Sequence, residues 1–173
     1  MKKLFSLLLV FGLCFTLVGC GDSSESDNDS TKEKTEQKEK VYSVGETFTF
    51  KEDSNDIYKF TINSVTSTDE RNEFEESNPA QVITIDYTYE NLGSDDPLYV
   101  SSIDFTVIDA EGNVCSTYPL GSIDAYPQET PKGAKCTAKE AYGLIAQSSS
   151  IKLQLNTEWF DNSKAVNFEL AIN

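Results

Sequence analysis

The sequence predicts an all-β domain in which two antiparallel sheets, with seven or eight short strands in total, pack face to face. From Val41 onward, apolar side chains recur at every second position, which is typical of strands with one buried and one solvated face. Aromatic and β-branched residues dominate these apolar positions, and both favour strands. A closed barrel is the alternative, because alternation alone does not say whether a sheet closes.

The predicted strands follow one another along the domain with turn residues between them. Clear alternation covers six segments, which are 47–50, 58–62, 83–89, 103–107, 151–155 and 166–172. The segment 136–142 is ambiguous, since its Ala-Lys-Glu-Ala stretch suits a helix and its flanks suit a strand; we predict a strand. Residues 69–78 are polar and have room for one helical turn.

Two connections have recognisable turn chemistry. Residues 109–113 read Asp-Ala-Glu-Gly-Asn between two strands, which predicts a hairpin loop with Gly112 at a positive φ. Residues 118–133 contain three prolines and two glycines, so we expect this stretch to be largely irregular.

The amino-terminal residues have the layout of a secretory signal. Met1-Lys2-Lys3 is positively charged, and the apolar run from Leu4 to Val18 is shorter than the roughly 20 residues that cross a bilayer. The run ends in Leu17-Val18-Gly19-Cys20, which resembles the lipobox of bacterial lipoproteins. The resemblance implies that residues 1–19 are removed as a signal peptide and that Cys20 is the lipid attachment site. The alternatives are an uncleaved anchor or an ordinary secretory signal.

Residues 20–40 form the predicted lipidated cysteine and a polar linker. Positions 21–40 contain no aromatic, aliphatic or proline residue, so they cannot bury enough apolar surface to offset the entropy of ordering. We therefore expect a disordered tether between a lipid anchor and a single domain at 41–173. This organisation predicts a protein that is anchored in the cell membrane and faces outside the cytoplasm.

The charge of the chain excludes several partners. Fourteen basic and 29 acidic residues give a formal net charge of −15, which disfavours nucleic acid and anionic lipid surfaces because both require basic residues. The absence of histidine excludes Ser-His and Cys-His nucleophilic pairs and histidine-ligated metal sites. No cofactor is predicted.

The cysteines offer one candidate covalent link. Cys14 belongs to the signal and Cys20 to the anchor, which leaves Cys115 and Cys136 as an even pair in an oxidising compartment. We predict a disulfide between them, with two buried free thiols as the alternative.

Two stretches carry a family resemblance. Residues 81–95 form a strand that ends in an Asn-x-Gly turn, and residues 103–113 form a Phe-centred strand followed by an Asp-x-x-Gly hairpin. This pattern resembles a domain-of-unknown-function family of Gram-positive lipoproteins, which is similar in fold to a secreted mycobacterial immunoprotective antigen. The resemblance implies an immunoglobulin-like antiparallel β-sandwich and no catalytic residues.

Three functions are compatible with these features. The first is a non-enzymatic binding module with a protein or cell-envelope partner, presented on the outer face of the membrane. The second is calcium binding by the acidic turns at 53–56 and 95–96. The third, which we weight least, is a carboxylate hydrolase using Glu73, Glu75 and Glu76.

Overall fold

A computed structural model describes residues 40–156 and 165–173. The predicted signal peptide, Cys20 and almost all of the predicted linker lie outside the described residues. The domain is all-β, and its described part contains no α-helix and one short 3₁₀ helix, Ser102–Asp104. The strands are β1 (Val41–Tyr42), β2 (Thr47–Glu52), β3 (Asn55–Thr68), β4 (Gln81–Asn91), β5 (Phe105–Ile108), β6 (Val114–Thr117), β7 (Lys135–Leu144), β8 (Ser150–Leu155) and β9 (Val166–Ala171).

The described strands form one sheet in the order β1-β9-β8-β5-β6-β7-β4-β3-β2. All neighbours are antiparallel except β1 and β9, which run parallel with Val41 opposite Asn167. The predictions of seven or eight strands and of purely antiparallel pairing are therefore wrong. The two-residue β1 is too short to show alternation, so the sequence gives no signal for it or for its direction.

The strand β6 connects the two halves of the sheet. Its first residues, Val114 and Cys115, pair with β5, and its last residues, Ser116 and Thr117, pair with β7. A strand of four residues that divides its pairing in this way joins β1-β9-β8-β5 to β7-β4-β3-β2. The sheet is thus continuous between the two halves on this side.

The other side of the sheet is nearly closed by the carboxyl terminus. The backbone N–H of Asn173 donates to the carbonyl oxygen of Val65 at 2.9 Å, and the N–H of Ser67 donates to the carbonyl oxygen of Asn173 at 3.0 Å. These bonds join the chain just after β9 to the last part of β3. The arrangement is consequently close to a barrel, which was the alternative to two separate sheets.

The core lies between the inward faces of the two halves. Phe60 on β3 contacts Phe168 on β9 and Phe105 on β5, with ring centroids 5.7 and 5.8 Å apart. Burying such a ring stabilises the fold by about 1.5–3 kcal/mol. The inward side chains of β4 and β8 follow the predicted alternation and are fully buried, namely Ile83, Ile85, Tyr87, Tyr89, Ile151, Leu153 and Leu155.

Inward tyrosines hydrogen-bond to the backbone of the irregular segments that cover the core. The hydroxyl of Tyr87 donates to the carbonyl oxygen of Val100 at 3.0 Å, and the hydroxyl of Tyr89 donates to that of Gln128 at 2.6 Å. Burial raises the pKa of Tyr89 to about 12. Both hydroxyls therefore remain protonated donors at neutral pH.

Two local predictions are confirmed by the structure and one is wrong. The ambiguous segment 136–142 lies within β7, so the strand prediction is confirmed, and Gly112 has the expected positive φ of 89°. Ile103 was predicted to begin a strand, but it lies in the 3₁₀ helix and is 85% exposed. The buried carboxylate of Asp104 accepts from the N–H of Ser101 at 2.9 Å and thereby favours the helical turn there.

The two turn signatures of the family resemblance are buried polar anchors. The side chain of Asn91, with no exposed surface, donates to the carbonyl oxygens of Asp96 and Thr130 and accepts from the N–H of Ser94. Asp109 has the equivalent role in the β5–β6 hairpin. Each residue satisfies backbone groups that would otherwise be buried without partners, which explains why these turns need Asn and Asp.

Candidate functional site

The outward face of β3, β4 and β7 carries a groove that we call the hydroxyl groove. Its volume is about 360 Å³, and it is lined by Ser64, Thr66, Ser67, Thr68, Thr84, Asp86, Ser122, Ile123 and Lys139. The register places Ser64 opposite Asp86 and Thr66 opposite Thr84, and Asp86 in turn lies opposite Lys139. Three neighbouring strands therefore supply the floor of the groove.

Beside the groove, the polar side chains of Asn63, Thr88 and Thr137 form a row and hydrogen-bond to one another. The hydroxyls of Thr88 and Thr137 are 2.9 Å apart, and the side-chain amide of Asn63 donates to Thr88 at 2.9 Å and to Asp86 at 2.6 Å. A β-bulge at Asn63 turns this amide onto the outer face. The row consequently forms a fixed polar edge for the groove.

A second layer of chain covers the same face next to the groove. Tyr118, Leu120 and Ile123 pack on Val82 and Ala141, the two outward apolar residues of β4 and β7. The segment 118–123 is therefore held on the sheet by a small apolar cluster of its own. It divides the outer face into two depressions.

Polar contacts fix the second layer to the loop before β4. The hydroxyl of Tyr118 accepts from the N–H of Asn72 at 3.0 Å, and the carboxylate of Glu70 accepts from the N–H of Ser122 at 3.2 Å. The wall of the hydroxyl groove is thus built from two loops that support one another.

The other depression, which we call the β7 cleft, has a volume of about 260 Å³. Its walls come from the loop before β4, from the end of β6 and from the end of β7, with the lining residues Ser77, Asn78, Pro79, Ala80, Ser116, Thr117, Tyr118, Gly143 and Ile145. Gly143 allows this packing, because a Cβ there would meet the ring carbons of Pro79 at 3.0 and 3.1 Å. Ile145 is 62% exposed and gives the cleft an apolar rim.

One carboxylate points toward the interior rather than toward either depression. Glu140 lies on the inward side of β7, opposite Ile85, and accepts a hydrogen bond from the N–H of Ser102 at 3.2 Å. Burial raises the pKa of Glu140 above its usual range. Its charge also contributes to the raised pKa of Tyr87 and Tyr142, for which burial is the main cause.

The predicted disulfide is not present, since both Cys115 and Cys136 are free. The strand register gives the reason. Ser116, the neighbour of Cys115, lies opposite Gly143, which is seven residues along β7 from Cys136. At about 3.3 Å per residue this is a separation of roughly 23 Å, far beyond the reach of a disulfide. Cys115 is buried, as the alternative expected, whereas Cys136 is partly exposed.

Each acidic turn considered for calcium has one carboxylate paired with a lysine. Asp53 and Ser54 have positive φ values of 47° and 70° and form the tight β2–β3 hairpin turn, and the carboxylate of Asp56 pairs with Lys51. Asp95 pairs with Lys132 at 3.0 Å. Within the described residues, no group of three or more acidic or cysteine side chains could hold a metal ion.

The glutamates considered for hydrolysis lie in the loop before β4. Glu73 and Glu76 are exposed, and the carboxylate of Glu75 accepts from the N–H of Ser77 at 3.1 Å within the same turn. They line neither the hydroxyl groove nor the β7 cleft.

Sequence reasoning missed the hydroxyl groove. Thr84 was predicted only as part of the solvated face of its strand, and Ser64 and Thr66 lie beyond the segment 58–62 for which a strand was predicted. The available signal was the concentration of hydroxyl and amide side chains at the outward positions of two consecutive strands, 61–68 and 84–88. What alternation cannot show is that segment 118–123 folds back to make a wall.

The fold resembles that of several proteins with solved structures. No family model and no curated protein sequence matches the chain. Among solved structures, MPT63, a secreted protein of Mycobacterium tuberculosis, superposes with a TM-score of 0.57 at 12% identity and covers 77% of this chain and 97% of its own. The chain shares its fold with this secreted protein. The predicted resemblance to the mycobacterial antigen is therefore confirmed at the level of fold.

Two proteins of Bacillus subtilis have similar folds. A candidate lipoprotein, ycdA, superposes with a TM-score of 0.53 at 19% identity and covers 66% of this chain. This chain spans only 36% of the length of ycdA. The yjhA protein superposes with a TM-score of 0.53 at 19% identity and covers 77% of this chain and 100% of its own.

Proposed function

We propose that this chain is a lipid-anchored, extracytoplasmic binding module without catalytic activity. The lipobox-like residues 17–20 support the anchor. The descriptions of ycdA as a candidate lipoprotein and of MPT63 as a secreted protein support a location outside the cytoplasm. The absence of histidine from the sequence supports a role other than the commoner forms of nucleophilic catalysis. Within the described residues, no helix is long and apolar enough to cross a membrane.

One observation supports binding more than any other, namely the position of the two depressions relative to the point of attachment. Lys40 leads from the linker into β1, and β1 pairs with the beginning of β9. Asn173, just after the end of β9, bonds to Val65 and Ser67, whose neighbours line the hydroxyl groove. The outer-face depressions therefore lie toward the end of β9, and the tether joins at its beginning.

We also infer that the two halves of the sheet act as the two layers of an immunoglobulin-like sandwich. The layers would be β1-β9-β8-β5 and β7-β4-β3-β2, with β6 crossing between them. Such layers present loops and outer faces on a rigid scaffold, which suits recognition.

The anchor is tested by cell fractionation of the full-length protein and of Cys20→Ala. We expect the wild type in the membrane fraction with a diacylated amino-terminal peptide in mass spectra, and the variant without that modification. An unmodified Cys20 in the wild type would contradict the anchor.

Binding is tested by photo-crosslinking on living cells, with a photoreactive amino acid placed at Thr66 in the hydroxyl groove or at Ile145 in the β7 cleft. The control position is Thr106, an exposed residue of β5 on the opposite half of the sheet. We expect a defined adduct from Thr66 or Ile145 that Thr106 does not give. Equal labelling from all three positions would contradict a binding site on this face.

A further inference from the structure

The hydroxyl groove contains side chains whose hydrogen-bonding capacity is unused. Among the described residues, no group bonds to the hydroxyls of Ser64, Thr66 or Ser122. The hydroxyl of Thr84 makes only a long contact of 3.5 Å, with the carbonyl oxygen of Thr66. Each hydroxyl can donate one hydrogen bond and accept others. The groove therefore offers several groups that act as donor and acceptor at once.

The lysine of the groove is in an ion pair, and its carboxylate, Asp86, is hydrogen-bonded by a neutral amide and keeps its charge. Lys139 binds Asp124 at 3.1 Å, and one oxygen of Asp86 accepts from the amide of Asn63. A phosphate or carboxylate ligand would meet one cation that is already engaged, on a chain with a net charge of −15. A multivalent cation would find no cluster of three ligating acids among the described residues. The ligand that suits this groove is uncharged.

The hydroxyls of the groove are regularly spaced, because they follow the geometry of the β-sheet. Thr66 and Thr84 lie directly opposite on neighbouring strands, which are about 4.8 Å apart, and Ser64 is two residues from Thr66 on the same face, about 6.6 Å away. Ile123 adds one apolar side chain at the wall. The volume of about 360 Å³ lies at the lower end of the range for small-molecule sites.

We infer that the hydroxyl groove binds a neutral oligosaccharide. Sugar rings carry several hydroxyls that both donate and accept, at short regular intervals, and their C–H faces contact apolar side chains such as Ile123. The hydroxyls of Ser64, Thr66 and Thr84 would hydrogen-bond to the hydroxyls of the sugar. The oxygen of Asp86 that is not bonded to Asn63 would accept a further hydrogen bond from the sugar. This inference rests on the proposed binding function and names its ligand class.

The test uses the full-length protein in detergent and measures binding of soluble cello-, malto- and chito-oligosaccharides, with acidic polygalacturonate as the charged comparison, by saturation-transfer NMR and calorimetry. We expect binding of at least one of these neutral oligosaccharides. Thr66→Val and Thr84→Val together replace two hydroxyls with methyl groups of the same shape, so we expect affinity to fall at least about tenfold. Thr106→Val, the same change on the opposite half of the sheet, should leave affinity unchanged.

Three outcomes would overturn the inference. These are no binding of any neutral oligosaccharide, binding of acidic polygalacturonate alone, and neutral binding that survives the double substitution. Circular dichroism and urea unfolding of the double variant check that its fold is intact. Ser64→Ala is a second, separate variant, which lacks one hydroxyl of the groove. A defined crosslinked partner with no sugar binding would leave the proposed function standing and remove only this ligand class.

Discussion

The carboxylate of Asp109 accepts a hydrogen bond from the backbone N–H of Ala146 at 2.9 Å and thereby joins the β5–β6 hairpin to the loop after β7. Its other oxygen accepts from the N–H groups of Glu111 and Asn113 at 3.0 and 2.9 Å. Asp109 is only 4% exposed. Burial acts to raise its pKa, but the hydrogen bonds from Asn113, Ala146 and Glu111 outweigh this effect, so the pKa is lowered.

Removing the Asp109 carboxylate should destabilise the domain. Asp109→Ala leaves several backbone N–H groups without an acceptor, and we expect a loss of at least about 2 kcal/mol in the free energy of unfolding. Urea unfolding at pH 7 measures it. The matched control is Asp95→Ala, because that carboxylate is 94% exposed and pairs only with Lys132 at the surface. Equal midpoints for the two variants would contradict the anchoring role of Asp109.

The same residue should contribute to acid sensitivity. A carboxyl whose pKa is lower in the folded state than in the unfolded state, where it is about 3.9, binds fewer protons when folded. Its stabilisation is therefore present above about pH 4 and is lost as the pH falls through the lower folded value. We expect the stability difference between wild type and Asp109→Asn to be largest near neutral pH and to shrink below about pH 4. A pH-independent difference in urea midpoints would argue against this linkage.

Glu140 should have the opposite dependence. Burial raises its pKa, so between the unfolded value of about 4.3 and the raised folded value the folded state binds more protons, and stability falls as the pH rises through that window. We expect Glu140→Gln to be more stable than wild type at pH 7 and equal to it near pH 4, because the amide oxygen can still accept from Ser102. Glu169→Gln on the exposed side of β9 serves as the control. Lower stability of Glu140→Gln at pH 7 would show that the charge itself is stabilising.

Gly143 should tolerate no side chain, although its backbone conformation is unremarkable. Gly143→Ala drives a methyl group against Pro79, so we expect a loss of about 1–3 kcal/mol and a displaced loop before β4. Gly121→Ala is the matched control, since the nearest atom to its added Cβ is an oxygen of Glu70 at 3.6 Å. Thermal unfolding distinguishes the two, and a neutral Gly143→Ala would mean that Pro79 moves freely.

The two cysteines of the domain should both be free thiols, so their alkylation should not require a reductant. We expect alkylation of the denatured protein without reductant to modify both Cys115 and Cys136 in peptide mass spectra. In the native protein Cys136 should react first, because Cys115 is buried and burial raises the pKa of its thiol. Recovery of a Cys115–Cys136 linked peptide would contradict the register of β6 and β7.

Much of the fold could be predicted because strand alternation is a local property. The runs around Ile83, Leu153 and Phe168 show one apolar face each, and all three residues are buried in the structure. Gly112 and Asn91 allowed their turns to be predicted, because the residue preferences of these turns are local. The strand β1 was missed because its pairing with the distant β9 decides it. The 3₁₀ helix at Ile103 was misassigned because the local capping of Ser101 by Asp104 competes with the strand that alternation predicted.

The candidate site depended far more on the tertiary structure. Thr66 and Thr84 are ordinary outward threonines until segment 118–123 folds onto Val82 and gives their face a wall. The disulfide prediction failed for the same reason, since an even count of cysteines carries no information about strand register.

The sequence by itself determined that the domain is all-β, where most of its strands lie, and that its surface is acidic, because periodicity, turn residues and charge are read along the chain. Only the tertiary structure decided that β6 joins the two halves, that Asn173 closes on β3, and that a hydroxyl groove exists. These features depend on which strands become neighbours, and that choice is made by the burial of side chains that are distant in sequence.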